Sequence, residues 1–255
     1  MTASSSATRW VVGAILAVPV VYFATVLFPA IANVSISVGF NHIISNVWAT
    51  SALIDYVTGL TFTLPYMWFR SPNAVVGVVV VLLCFGMGNV VSVALFVFFI
   101  VSGRSSLRHA ILPLDHPLHA APNTKTWGVT IFQSIAAAIG VIYWAYLIYA
   151  VVTEPVSAGW AFITSDTWSY VTFVDVITGI AMVVTYVLVR ELRADNVIAA
   201  LLWFLALLFL GNGVTVVYLL YVTWGPMAGR SLEEVFLWGG PETPSEQDPL
   251  VGKSH

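Results

Sequence analysis

Six apolar runs dominate the chain, separated by short polar segments and opened or closed by tryptophans. They are Trp10–Ile31, Trp48–Phe69, Ala74–Val101, Trp127–Val152, Trp168–Val189 and Val197–Thr223. Each reaches the ~20 residues that carry a helix across ~30 Å of hydrocarbon at 1.5 Å per residue. Inside lipid the backbone must satisfy its own hydrogen bonds, so such runs are helical, and the alternating pattern of a transmembrane barrel is absent. The pattern predicts an all-α polytopic membrane bundle of six transmembrane helices. Trp10, Trp48, Trp127 and Trp168 open runs while Trp68 and Trp224 close them, as an aromatic belt at the lipid–water boundary would. Pro19 and Pro65 are expected to kink their helices. The small residues of Ala30-Ile31-Ala32 look like a signal-peptide cleavage site. The first run, however, exceeds the ~7–15 residues of a signal-peptide core, so it reads as a retained span.

Composition agrees with lipid as the surrounding solvent. Of the 255 residues 59% are hydrophobic and only 8% charged, against about 25% charged in a soluble domain. The net charge is -3 and the basic residues are scattered. That excludes the basic patch of a nucleic-acid binder and the polybasic run of a headgroup binder. The single cysteine, Cys84, can form no disulfide within the chain. The lipid bilayer is the partner the sequence implies, and it leaves the oligomeric state open.

A repeat gives the chain its internal organisation. With Trp48 set over Trp168, Asp55 meets Asp175, Thr58 meets Thr178, Gly59 meets Gly179, Tyr66 meets Tyr186 and Arg70 meets Arg190. Both copies read Asp-x-[Val/Ile]-Thr-Gly. After a three-residue difference in the next loop, Gly88-Asn89 meets Gly211-Asn212 and Ser92 meets Thr215. The expected division is a three-helix repeat over 1–101, a polar connecting loop over 102–126, a second repeat over 127–224, and a tail over 225–255. The tail begins with a short amphipathic helix, Leu232–Trp238, capped by Ser231 and Glu234, and ends in a polar stretch expected to be disordered. Three spans per unit is an odd number, so the second unit is expected to enter from the opposite side, as an inverted repeat. The basic residues then divide between the two sides. Arg9, Arg70, Arg230 and Lys253 share the N-terminal side, while Arg104, Arg108, Lys125, Arg190 and Arg193 share the other. This favours an outside N-terminus slightly.

The chemistry concentrates on two carboxylates within spans, where a charge costs at least ~2.5–3.5 kcal/mol. Helical spacing aligns Trp48, Asp55, Gly59 and Tyr66 on one face, and Trp168, Asp175, Gly179 and Tyr186 on another. Lipid rejects an acid, so both stripes should face the bundle interior. Under inversion the two acids would stand roughly 10 Å apart along the membrane normal, as stations on a path. Asn89 and Asn212, near mid-span, are expected to approach each other at the pseudo-axis. The alternative is that each bonds within its own unit to Thr58 or Thr178. Gly59, Gly179, Gly88 and Gly211 suit close helix packing. Tyr66 and Tyr186 suit interface anchoring, and Arg70 and Arg190 suit helix ends at headgroup level. The loop group Asp115-His116-Pro117-Leu118-His119 makes a poor metal site, because its proline breaks any helical face; no metal or cofactor is expected. No HExxH, GxSxG or P-loop occurs.

The opening Trp, the [Leu/Val]-[Ile/Val]-Asp seven residues on, the charged helix end and the Gly-polar third helix form a unit. It resembles small three-span membrane proteins of bacteria and plants, here in tandem. The resemblance covers Trp48–Ile100 and Trp168–Thr223. Members often carry an acid after the second helix, as Glu191 does here, while the first copy has Arg70-Ser71. The resemblance implies architecture and no activity. Function is therefore read from the acids. The leading expectation is a transporter or channel for a small solute or ion, with Asp55, Asp175, Asn89 and Asn212 on the pathway. A membrane-embedded enzyme acting on a lipid or isoprenoid, and a structural or assembly subunit, are the alternatives.

Overall fold

The computed structural model describes residues 3–103, 106–114, 118 and 127–238. Its helices in chain order are α1 (Ala3–Asn33), α2 (Ile36–Ser45), α3 (Val47–Arg70), α4 (Ala74–Met87), α5 (Asn89–Ser102) and α6 (Leu107–Ile111). After these come α7 (Trp127–Thr153), α8 (Val156–Ser165), α9 (Thr167–Arg193), α10 (Val197–Leu210), α11 (Asn212–Trp224) and α12 (Leu232–Leu237). The described residues form an all-α bundle of twelve helices. Three of them are long and apolar enough to cross a membrane, over Ser6–Asn33, Trp127–Thr153 and Thr167–Arg193. α3 has 24 residues and carries Asp55. The starts of the inner helices are set by side-chain caps. Asn46 accepts from the backbone amides of Trp48 and Ala49 before α3, and Asp166 accepts from Ser169 N before α9.

Two of the expected crossing helices are hairpins instead. The run Ala74–Val101 breaks at Gly88 (φ 82°) and the run Val197–Thr223 breaks at Gly211 (φ 63°), a backbone region that glycine enters without penalty. Past each break the chain turns back. Trp203 on α10 packs edge-on against Tyr218 on α11, with ring centroids 5.1 Å apart. The end of α3 touches both arms of the first hairpin. Trp68 lies on Gly77 near the start of α4, and the Arg70 guanidinium lies 4.3 Å over the Phe99 ring near the end of α5. Each arm has 14 or 13 residues, so a hairpin tip reaches about 20 Å from its base. Hydropathy registers an unbroken apolar run in either case, which is why the sequence suggested a full crossing.

The directions of the two halves also differ from the expected inversion. The Trp48 indole N–H donates to Glu154 O at 3.1 Å and the Trp168 indole N–H donates to Val34 O at 3.1 Å. Trp48 packs on Gly159 of α8, and Trp168 packs on Gly39 of α2. The end of α1 and start of α3 therefore meet the end of α7 and start of α9. Inverted halves would hold these ends on opposite faces. Towards their other ends α3 and α9 meet again, with Tyr66 and Tyr186 ring centroids 5.7 Å apart, so the two helices run in the same direction. The odd number of spans that suggested inversion disappears once the third run returns to the side it left. Trp48 and Trp168 thus join the halves, whereas Trp10 and Trp127 are exposed.

The main core lies between the hairpins, near the ends of α3 and α9. Phe62, Tyr66, Phe96, Met182, Tyr186 and Phe236 are all essentially inaccessible there. Tyr66 OH donates to Ile111 O of α6 at 2.9 Å, and Tyr186 OH donates to Val235 O of α12 at 3.1 Å. These tyrosines are core residues, not interface anchors. α6 and α12 close this end of the bundle from beneath. Ala110, Ile111 and Leu112 of the expected polar loop are buried, as are Val235 and Phe236 of the expected amphipathic helix. The Ser231–Glu234 capping box is present. Arg104, Asp115, His116, Pro117, His119 and Lys125, and the tail from Gly239, lie outside the described residues.

Candidate functional site

Asp55 stands eight residues past Val47 at the start of α3, and Asp175 eight past Thr167 at the start of α9. Because these helices run alike, the acids share one level instead of standing ~10 Å apart along the normal. Each faces inward and meets the tip of a hairpin from the other half. Asp55 Oδ1 accepts from Asn212 N at 2.7 Å, and the Asn212 side-chain amide donates to Asp55 O at 3.2 Å. Asp175 Oδ1 accepts from Asn89 N at 2.8 Å, and the Asn89 side-chain amide donates to Asp175 O at 3.2 Å. These reciprocal pairs replace the expected Asn89–Asn212 contact. They also replace bonding of the amides to Thr58 or Thr178, whose hydroxyls donate to Ile54 O and Val174 O in their own helices. Thr63 and Thr215 hydroxyls donate instead to the Asn89 and Asn212 side-chain carbonyls, at 3.5 and 3.1 Å.

The clasp resolves a problem made by the breaks. α5 and α11 begin in the interior with unpaired N–H groups, and their glycine N-caps offer no side chain. A carboxylate satisfies such donors and suits the positive end of the helix dipole. The last carbonyls of α4 and α10 also need donors. Tyr56 OH donates to Cys84 O at 3.3 Å and Phe85 O at 3.2 Å, and Tyr143 OH donates to Leu210 O at 2.7 Å. The repeat alignment did not flag these tyrosines, because Tyr56 faces Val176 and Tyr143 faces Phe23 across the copies. The four glycines allow close approach at the clasp. A Cβ on Gly59 would fall 2.9 Å from the Asn212 amide, and one on Gly179 would fall 2.6 Å from the Asn89 amide. On Gly88 and Gly211 it would fall 2.5 Å from an Asp175 or Asp55 oxygen.

Beside each acid lies a cavity. One of about 260 Å³ is lined by Asp55, Trp48, Tyr143, Trp160, Phe173 and Phe209 among others. One of about 290 Å³ is lined by Asp175, Phe23, Tyr56, Phe85, Trp168 and Leu53 among others. Both are mainly apolar, with the carboxylate and hairpin tip as polar points. On the far side of the tips the packed rings of Phe62, Tyr66, Tyr186 and Phe236 fill the interior.

Arg190 is a buried residue, not a free helix end. Its Nη1 donates to Tyr186 OH at 2.8 Å and to Val235 O. Neighbouring Glu191, also buried, accepts from Tyr218 OH at 2.8 Å. Arg70, its counterpart, lies over the Phe99 ring. At the opposite end His42 Nδ1 and Asp166 Oδ2 are 2.9 Å apart and link α2 to the start of α9. Burial pushes the Asp166 carboxyl up. Hydrogen bonds from Ser169 Oγ, Ser169 N and His42 outweigh this and hold it below its ordinary value. Among the described residues no three His, Cys, Asp or Glu side chains cluster as metal ligands. Comparison of the chain with family models, curated proteins and solved structures returns no match.

Proposed function

We propose that this chain is a multi-pass integral membrane protein that moves a small molecule, with the two acid-tipped cavities as its binding sites. In this reading α1, α3, α7 and α9 cross the bilayer, and the hairpins α4–α5 and α10–α11 enter it halfway. The two halves, 3–114 and 127–238, point the same way about a twofold axis along the membrane normal. Support comes from the matched offsets of the bonds that join the halves. Trp48 with Glu154 and Val34 with Trp168 are both related by a shift of 120, the shift that also relates Asp55 to Asp175. The likeness to three-span membrane proteins would then apply to one such half.

The same arrangement reverses the slight preference for an outside N-terminus. Arg9, Arg70, Arg108, Arg190, Arg193 and Arg230, every basic residue among those described, fall at or near the end where α1 starts and α3 and α9 finish. Among the described residues the opposite end has His42, Glu154 and Asp166 but neither Lys nor Arg. By the positive-inside rule the N-terminus faces the cytoplasm.

The observation that carries the functional reading is the break in backbone at Gly88 and Gly211, opposite a carboxylate and beside a cavity. Non-helical backbone at membrane depth is tolerated where it is buried in protein or lines a cavity, and half-helix N-termini there commonly hold substrates or ions. The plug formed by Phe62, Tyr66, Tyr186 and Phe236 corresponds to a state closed on the arginine side. A second reading is favoured by the backbone bonds the acids already make: they lock the halves of a structural subunit. Purified protein in liposomes separates the two, assayed by solid-supported-membrane electrophysiology against small organic cations, anions and amino acids. Transport predicts a protein-dependent current that Asp55→Asn reduces. Folded protein that gives no current with any solute would support the structural reading.

A further inference from the structure

We propose that the Asp55 cavity is a binding site for a small organic cation with an apolar body. The inference deepens the transport reading and rests on it for the cavity's role. Four observations carry it.

The first is the spare acceptor capacity of the carboxylate. Backbone amides of both Asn89 and Val90 reach Asp175, which is only 6% exposed. The backbone amide and the side chain of Asn212 reach Asp55, which is half-buried. An ionised carboxylate offers about four acceptor positions, so Asp55 keeps capacity for a ligand. The second is sign. The cavity lining includes no Lys, Arg or His. A carboxylate in a weakly polar cavity without a basic partner attracts a cation far more strongly than it would in water. The third is the wall. Trp48, Tyr143, Trp160, Phe173 and Phe209 surround the site, and Trp160 packs edge-on against Phe173 with centroids 5.2 Å apart. Aromatic faces hold alkylammonium groups by cation–π attraction. At positions matching Phe173 and Phe209 the other half has Leu53 and Gly86, and the Asp175 cavity is walled instead by Phe23, Tyr56, Phe85 and Trp168. The fourth is access. Trp160 is 50% and Phe209 77% exposed on the lateral surface, so an apolar body enters from the bilayer. The volume of about 260 Å³ lies just below the usual range for small-molecule pockets and favours a compact ligand.

The test uses the full chain in lipid nanodiscs and benzyltrimethylammonium as the probe, with its uncharged isostere neopentylbenzene as the comparison. Binding is read by quenching of tryptophan fluorescence and by calorimetry. The proposal predicts saturable binding of the cation, at least about tenfold tighter than the neutral isostere. Asp55→Asn should weaken it by about tenfold or more. Trp160→Ala should weaken it several-fold, and Trp160→Phe should restore most of the loss. Trp160 is half exposed, so its variants and the isostere comparison remain decisive if Asp55→Asn fails to fold. Equal binding of the isostere, no saturable binding, or unchanged affinity in folded Asp55→Asn or Trp160→Ala would each overturn the proposal. The measurement needs no gradient, so cation binding without liposome current would leave this site standing and remove transport. Current without cation selectivity would do the reverse.

Discussion

Asp55 Oδ1 accepts a 2.7 Å hydrogen bond from the backbone amide of Asn212, a residue 157 positions away in the chain. The bond joins a helix of one half to the hairpin tip of the other, and Asp175 with Asn89 makes the reciprocal join. The acid therefore has a structural task whatever else it does. It terminates a helix that begins in the interior with no side-chain cap of its own.

Removing that acceptor should cost stability in a graded way. Asp55→Ala leaves the Asn212 amide without a partner, and an unsatisfied buried donor costs about 1–3 kcal/mol. Asp55→Asn keeps a carbonyl and should recover at least half of the loss. Unfolding by denaturant in mixed micelles measures both, with Asp175→Ala expected to be at least as damaging because Asp175 is reached by two backbone amides.

The glycines should separate into two groups. Gly179→Ala puts a Cβ 2.6 Å from the Asn89 side chain, and should destabilise by about 1–3 kcal/mol through overpacking. Gly211→Ala meets the Asp55 carboxylate at 2.5 Å in a left-handed backbone, and should be worse. Gly86→Ala, with nothing within 4 Å of its Cβ, should be neutral or stabilising by up to about 1 kcal/mol. Equal losses at Gly86 and Gly179 would show that the clasp is not where the packing is tight.

The His42–Asp166 link should make stability depend on acid. The Asp166 carboxyl is held below the ordinary value of 3.8. Its stabilising contribution is thus present above that value and fades as pH falls through the lower folded value. Asp166→Asn should accordingly be less stable than the parent at neutral pH, with the gap closing below about pH 4. Thermal melts from pH 7 to pH 3 follow the two curves. A gap that widens on acidification would contradict the sign.

The residues of the site were legible because polar groups stand out in apolar runs. Asp55, Asp175, Asn89 and Asn212 were all singled out by the repeat, and so were the four glycines. The partners were not. Asn89 and Asp175 lie in different halves, and pairing across halves depends on chain direction, which hydropathy does not encode. The hairpins were hidden for a related reason: two 14-residue helices joined by one glycine have the composition of one long crossing helix. The signal was the Gly-Asn pair at the middle of both runs. α2 and α8 lie between the apolar runs, where the hydropathy pattern assigns no helix, although Ser35 caps the first and apolar residues recur at helical spacing through Ile36, Gly39, Phe40 and Ile43. Tyr56 and Tyr143 left no repeat signal because the two halves meet the same need from different helices.

Sidedness of the hairpin bases tests the central claim most directly. In a Cys84→Ser background, single cysteines at Ser71, Ser102 and Ala194 mark the arginine end, and cysteines at Ser37 and Ser157 mark the other. An impermeant maleimide is added to intact cells, and then to inverted vesicles. The account predicts that Ser71, Ser102 and Ala194 positions are labelled together in the vesicles only, and the Ser37 and Ser157 positions together in the cells only. Labelling of the Ser71 and Ser102 positions from opposite sides would mean that α4 and α5 cross the membrane. Labelling of the Ser71 and Ala194 positions from opposite sides would mean that the halves are inverted. Either result would contradict the arrangement on which the site is built.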